Sequence, residues 1–371
     1  MTILQFNTKV HFGHNERQRL IEELRTLSVH RPLFVSDKGV CQAGVFDLAT
    51  ESLDKSEPLT LFDDVPANPT EAASQKGLEM FLSSKCDGIV GIGGGATMDL
   101  AKAIAVLAGD PAPLWEYCNR NSKTRPIKNP PPLILMPTTS GSGSEVGRSA
   151  VIIFDNGIKA GVGCPTIVKA AICDPDLTLG LPSRVTAATG MDALSHCIET
   201  YCSPTINPPA DAIALDGLKR LHANIEAVTK DGRNAQARWH MMMGALEGAV
   251  CFQKGMGGVH SLSHALGAYG FHHGTLNALF LPHILRYNRE ALGDKYESMC
   301  LTMDLPADCD LYEHFRNLNE RLGLPNHLLD MGVDAVILEA VADAALLDNA
   351  HKTNPRPLAK EDYQKILSEA Y

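Results

Sequence analysis

The sequence has no Cys-x-x-Cys pair, no apolar run of membrane length, no internal repeat and no low-complexity tract. Each absence excludes something. Ten scattered cysteines without close pairing make neither a disulfide frame nor a thiolate zinc site, and read as reduced, mostly buried thiols. A bilayer span needs about 20 consecutive apolar residues, and none occurs. The opening MTILQFNTKVHFG has neither the basic nor the apolar region of a secretory signal, so a cytoplasmic protein is expected. Basic residues are in deficit: Lys+Arg 33 against Asp+Glu 43 gives a formal charge of −10. That disfavours nucleic acid or an anionic membrane as the main partner. What remains is an ordinary globule, 44% hydrophobic and 20% charged, whose 371 residues exceed one ordinary core and predict two domains.

The first half alternates strand and helix signals. Residues 3–12 read as one or two short strands, and 15–27 as a helix with Asn15 as its cap. PLFVSD, 32–37, is a buried-type strand ending on Asp37. Residues 40–53 read as a helix, 59–62 as a short strand, and 70–83 as an amphipathic helix capped by Thr70. Residues 87–108 read as strand, glycine turn and helix, and 132–147 as a strand entering a loop of small residues. Such alternation implies a parallel sheet covered by helices on both faces. From Pro182 onward strand signals nearly vanish, so the boundary falls near 180, with an α/β first half and an all-helical second half.

Three consecutive glycines, Gly93, Gly94 and Gly95, follow the strand and open a helix, where backbone amides can approach a pyrophosphate. The spacing is neither that of the common dinucleotide fingerprint nor that of a P-loop. Asp37, at the end of an earlier strand, can accept from both ribose hydroxyls of an adenosine; as a helix cap it would serve structure instead. PTTSGSGSE, 137–145, follows an apolar strand and offers hydroxyls and glycines to a ligand.

The second half carries three phrases: GMDALSHCIE at 190–199, GVHSLSHALG at 258–267 and FHHGTLNALFLPH at 271–283. On a helix, Asp192 and His196 lie one turn apart on one face, and His260 and His264 repeat that spacing. His272 and His273 follow in a glycine-flanked segment. A lone histidine pair is more often packing or capping, as for His222 or His240. A carboxylate and several imidazoles on paired helices point to a divalent-metal site.

GGGATMDLAKAIA, PTTSGSGSEV, GMDALSHCIETY, KGMGGVHSLSHALG and HHGTLNALFLP together resemble the iron-containing (group III) alcohol dehydrogenases. The likeness runs through nearly the whole chain, to TNPRPLAKEDYQKIL at 353–367. It implies a dehydroquinate-synthase-like architecture, with an NAD(P)-binding α/β domain at 1–180, an all-helical metal-binding domain at 181–371 and an active site in the cleft between them. The implied metal ligands are Asp192, His196, His260 and the histidine before Gly274. That residue is His273, with His272 as the alternative. The implied metal is Fe²⁺ or alternatively Zn²⁺, and the implied cofactor is NAD in preference to NADP.

The resemblance further assigns Gly93, Gly94, Gly95 and Asp99 to the pyrophosphate and nicotinamide side. It gives Thr138, Thr139 and Ser142 to the cofactor, Lys159 to the nicotinamide ribose, and Asp37 to the adenosine ribose. His264 becomes a proton relay or substrate-orienting residue, and Glu145 a structural one. The implied reaction is hydride transfer between NAD(P) and a primary alcohol or aldehyde, with 4-hydroxybutyrate and succinic semialdehyde as the candidate pair. Arg148 is then the candidate for a substrate carboxylate. A glycerol-dehydrogenase-like or dehydroquinate-synthase-like zinc enzyme is the alternative on the same fold, and a homodimer is the implied assembly. Two departures stand out: Ala96 replaces a serine common in relatives, and the segment from His260 to the last histidine is one residue shorter than in lactaldehyde-reducing relatives.

Overall fold

Strands β1 (Lys9–Phe12), β2 (Pro32–Val35), β3 (Thr60–Phe62), β4 (Gly88–Gly93), β5 (Leu133–Pro137) and β8 (Val168–Cys173) form one parallel sheet in the order β1-β8-β5-β4-β2-β3. Between β5 and β8 an antiparallel hairpin intervenes, formed by β6 (Ser149–Ile153) and β7 (Lys159–Gly163). The computed structural model describes residues 8–371 apart from Lys55, Glu57, Pro111 and Ser122. β4 and β5 are buried along their whole length, as their unbroken apolar runs require of central strands covered on both faces. From β2 the chain steps outward to β3, then returns to the other side of β2 for β4. The order reverses between β2 and β4, and such a reversal opens a crevice at the carboxyl ends of the two strands. Asp37 follows the end of β2, and the three glycines lie at the end of β4.

Local departures from the sequence reading have identifiable causes. Asn15 adopts a left-handed conformation (φ 65°) without capping through its side chain; a 3₁₀ turn at Glu16–Arg19 precedes α1 (Leu20–Thr26). The helix expected over 40–53 is two short ones, α2 (Lys38–Gln42) and α3 (Val45–Ala49). They break at Gly44, whose φ of 72° ends a helix as glycine commonly does. Thr70 caps α4 (Glu71–Ser83), its hydroxyl accepting from Ala73 N at 3.1 Å. Of the strands expected at 3–12, residues 3–7 lie outside the described residues and Lys9–Phe12 is β1. The hairpin and β8 were not foreseen. β8 reads VKAAIC, whose small residues give a weak strand signal although it pairs with both β5 and β1.

α5 (Gly95–Gly109) follows β4 directly through the glycine turn. The α/β unit runs through Thr139 and resumes at Gly143–Leu181; the other unit is Pro182–Tyr371 with Ser140–Ser142. Among its described residues the second unit contains helices and no strand: α6 (Ser183–Cys202), α7 (Pro208–Lys230), α8 (Ala235–Val250), α9 (Gly258–Gly267), α10 (His273–Leu292), α11 (Asp294–Thr302), α12 (Leu311–Arg321), α13 (Leu338–Leu346) and α14 (Lys360–Ala370). α6 is buried on nearly every side from Thr186 to Cys202, the mark of a helix at the centre of a bundle. α8 approaches it closely at Gly248, where an added Cβ would sit 3.1 Å from His196 Cβ. Among the described residues no helix is long and apolar enough to cross a membrane, and the ten cysteines form no disulfide.

Candidate active site

Three helices of the second unit bring the predicted ligands together. α6 holds Asp192 and His196 one turn apart, α9 holds His260, and His273 is the first residue of α10. Asp192 Oδ1 lies 3.4 Å from His196 Nε2, 3.7 Å from His260 Nε2 and 3.6 Å from His273 Nε2. The donor atoms of Asp192, His260 and His273 all lie within 4.8 Å of one another. His196 faces the same carboxylate oxygen and stacks on the His260 ring, centroids 4.6 Å apart. These spacings are long for hydrogen bonds. Ligands held at about 2.1 Å around a tetrahedral ion are separated by about 3.4 Å, so the spacing can accommodate such an ion. One carboxylate with imidazoles suits Fe²⁺ or Zn²⁺, and the donor set fits a divalent metal.

Two residues that sequence reasoning missed organise this cluster. Glu199 Oε2 lies 2.6 Å from His260 Nδ1, while its Oε1 accepts from Val259 N at 2.7 Å. A carboxylate at Nδ1 makes that nitrogen a donor, so in the neutral ring the lone pair lies on Nε2, the nitrogen that faces Asp192. Asn277 Nδ2 donates to Asp192 Oδ1 at 2.6 Å and lies 3.3 and 3.2 Å from the Nε2 atoms of His260 and His273. Spacing held the signal for both. Glu199 is seven residues beyond Asp192 and Asn277 four beyond His273, each on the face of its helix that bears a ligand.

The electrostatics follow from burial and proximity. Burial opposes the Asp192 carboxylate, but His196, His260 and His273 outweigh it and hold its pKa well below the usual carboxylate range. Burial drives His196 down to about 3, against the attraction of Asp192. His260 suffers the same burial, yet Asp192 and Glu199 together raise it to about 9.

The neighbouring histidines differ in role. His272 is the N-cap of α10: its Nδ1 accepts from Thr275 N at 3.3 Å, and the residue is exposed. It is therefore His273 whose Nε2 faces Asp192. His264 stands one turn beyond His260, outside the tight donor set, with its ring parallel to His273 (centroids 5.2 Å, 11°) and Nδ1 3.1 Å from Asp348 Oδ2.

In the α/β unit, Gly94 is the N-cap of the fifteen-residue α5, so the first-turn amides of that helix have no intrahelical acceptors. A Cβ at Gly93 would come within 2.5 Å of Thr97 Oγ1, and one at Gly94 within 3.4 Å of Thr139 Cγ2. Thr138 N donates to Gly93 O at 3.0 Å, so the glycine turn and the Thr138–Thr139 corner are neighbours. This bare, amide-lined turn at a helix N-terminus fits a pyrophosphate.

The other predicted cofactor residues have partners of their own. Asp37 caps α2, accepting from Val40 N at 3.0 Å, and its second oxygen accepts from Thr97 Oγ1 at 3.2 Å. Asp99 accepts from Ser144 Oγ at 2.6 Å and Val151 N at 3.0 Å, tying α5 to the serine loop and β6. Lys159 Nζ reaches Asn68 Oδ1 at 3.0 Å. Arg148 is exposed just before β6, its carbonyl bound by Cys164 N at 2.8 Å. Ser142 lies in the short segment that groups with the helical unit.

A glycine-opened parallel α/β unit and a helical unit bearing a carboxylate–imidazole cluster are the parts of a metal-dependent oxidoreductase. Comparison with known proteins gives the family. Residues 7–175 match the iron-containing alcohol dehydrogenase family, and residues 186–371 match its C-terminal domain. The chain belongs to the iron-containing alcohol dehydrogenases, and family membership implies a metal ion and a nicotinamide cofactor. It is 43% identical to 4-hydroxybutyrate dehydrogenase of Cupriavidus necator, with 100% of each chain covered. It is 32% identical to 1,3-propanediol dehydrogenase of Citrobacter freundii, covering 97% of this chain and 96% of that one. Among solved structures, a 1,3-propanediol oxidoreductase superposes over 100% of both chains with a TM-score of 0.93 at 31% identity.

Proposed function

We propose that the protein interconverts 4-hydroxybutyrate and succinic semialdehyde with NAD as the hydride carrier. The observation that carries this reading is the convergence of Asp192, His260 and His273 donor atoms within 4.8 Å of one another, in a chain that is 43% identical to a 4-hydroxybutyrate dehydrogenase along its whole length. Asp192, His196, His260 and His273 would hold a divalent cation, which would supply Lewis acidity toward the substrate oxygen. A bound nicotinamide would supply the hydride acceptor, and the hydride chemistry would belong to it. The chain's own residues bind and orient. Glu199 and Asn277 hold His260 and Asp192 in position, and His264 takes the hydroxyl proton in oxidation and returns it in reduction. The amides at Gly93, Gly94 and Gly95 receive the pyrophosphate, with Thr138, Thr139, Ser142, Asp99 and Lys159 around the cofactor. Asp37 disfavours a 2′-phosphate by charge, which supports NAD over NADP.

A substrate carboxylate needs a cation when it leaves water, and Arg148 is that cation. The test is NAD⁺ reduction measured over ω-hydroxy acids, diols and simple alcohols, with Fe and Zn content determined on the same preparation. Oxidation of 4-hydroxybutyrate in preference to butan-1-ol and 1,3-propanediol is expected. Turnover of diols with none of 4-hydroxybutyrate would overturn the substrate assignment and leave the family intact.

A further inference from the structure

We propose that Asp348 is a positioning residue that fixes the tautomer of His264, so that its Nε2 is the nitrogen able to accept the substrate's proton. The inference rests on the reading of the chain as an alcohol dehydrogenase, and it stands on geometry confined to the helical unit. Both oxygens of Asp348 are engaged. Oδ1 accepts from Ala350 N at 2.8 Å, which closes the turn into the 3₁₀ segment Ala350–Thr353 and fixes the plane of the carboxylate. Oδ2 faces His264 Nδ1 at 3.1 Å. An ionised carboxylate only accepts, so Nδ1 must donate, and a neutral ring then carries its lone pair on Nε2. The ring cannot swing away freely, because it lies parallel to His273 and edge-on to His260, with centroids 5.2 and 5.8 Å away.

Exposure separates His264 from the two innermost ligands, His196 and His260, though not from His273, whose side chain is 27% exposed. The His264 side chain is 18% exposed, against 4% for His196 and 1% for His260. It can therefore meet a substrate hydroxyl that those two cannot. In oxidation the substrate O–H bond breaks and its proton goes to the Nε2 lone pair. The carbon's hydride leaves for the nicotinamide and the C=O bond forms. In reduction Nε2–H returns the same proton. An Nε2–H tautomer at the start of oxidation would have no lone pair to offer. Asp348 thus acts through His264 and touches no reacting atom.

Asp348→Asn separates this role from turn-capping. The asparagine carbonyl can still accept from Ala350 N, so the turn is kept. Its amide hydrogens then face His264 Nδ1 and force the proton onto Nε2. We expect kcat for alcohol oxidation to fall by about a hundredfold or more, the scale of a lost general base, with KM and metal content as in the unmodified enzyme. In the zinc-loaded protein, ¹⁵N NMR of His264 should show Nδ1 change from a protonated to an unprotonated nitrogen. In a His264→Ala background, Asp348→Asn should cause no further loss of kcat, because a residue acting through another has nothing left to act on. An unchanged Nδ1 signal, or a full additional loss of kcat in the His264→Ala background, overturns the proposal. Asp348→Ala, if the asparagine variant folds poorly, releases Nδ1 from its acceptor, so the Nδ1 signal should move away from its fully protonated position, and an unmoved signal again overturns the proposal. If the unmodified enzyme oxidises no alcohol, the functional reading fails, while the NMR result still decides whether Asp348 sets the tautomer.

Discussion

Replacing Glu145 by Gln should make stability less dependent on pH, and the structure sets the size of the effect. Glu145 is 2% exposed, and its Oε2 has no hydrogen-bond partner. It follows Ser144, whose hydroxyl joins Lys102 Nζ and Asp99. Burial pushes the carboxyl from its ordinary 4.5 to about 7, against its backbone contact and the attraction of Lys102. In the unfolded chain the group ionises near 4.5, and in the folded protein only near 7. Between those values the unfolded state has released its proton and the native state has not, so stability falls as pH rises through this window. Above it the penalty stays constant. The gap between 4.5 and about 7, at about 1.4 kcal/mol per pH unit, amounts to about 3 kcal/mol.

The glutamine side chain of this variant cannot ionise. Its buried amide carries a cost of its own, but one that does not vary with pH. The quantity to measure is therefore the stability of the variant minus that of the parent, from urea unfolding at a series of pH values. Trp239 is replaced by Phe in both proteins, so that Trp115, packed edge-on against Phe154, reports the α/β unit. The difference should rise by about 3 kcal/mol between about pH 4.5 and 8 in favour of the variant. A difference that stays flat across that range refutes the reasoning.

His273→Ala should lose bound metal, whereas His272→Ala should keep it and lose about 1 kcal/mol of stability through the missing cap of α10; metal analysis and melting of both variants decide, and the opposite pattern moves the ligand by one residue. Glu199→Gln should weaken metal affinity by about 10- to 100-fold in a chelator competition, because it weakens the acceptor that orients His260; unchanged affinity would show that the carboxylate serves only the start of α9. Arg148→Ala should lower kcat/KM for 4-hydroxybutyrate by roughly ten- to a hundredfold, the value of a charge-assisted hydrogen bond, and leave butan-1-ol nearly unaffected; equal losses on both substrates would remove Arg148 from carboxylate recognition. Asp37→Asn keeps an acceptor for Val40 N but drops the charge, so activity with NADP⁺ should rise relative to NAD⁺; an unaltered ratio would detach Asp37 from cofactor choice.

Much of the scaffold is written locally. β4 and β5 are unbroken apolar runs that end at glycine or proline, and the Thr70 hydroxyl announces the helix it caps. The i,i+4 spacing on α6 and α9 places Asp192 with His196 and His260 with His264 once those segments are helical. What escaped the sequence depends on contacts between distant residues. Glu199 meets His260 across 61 positions, Asp348 meets His264 across 84, and Asn277 meets Asp192 across 85. Helical spacing puts Glu199 and Asn277 on the right faces of their helices, but no periodicity names their distant partners. The break at Gly44 and the strand β8 were missed for a different reason. Helical propensity on both sides hid the first, and small side chains weakened the signal of the second.

Asp192, His196 and Glu199 share a face of α6 over two turns, and that arrangement sets where the chain can change length. Each residue of an α-helix turns by about 100°, so a single insertion between Asp192 and Glu199 would aim the outer carboxylate away from the ligand side. The connection from α9 to α10 has no such restriction. At Gly270, which has a φ of 91°, an added Cβ would meet nothing within 4 Å. His260 is held by the N-terminal turn of α9 and His273 by that of α10, so a gain or loss of a residue between those helices alters the span of the link and leaves each donor in its own frame.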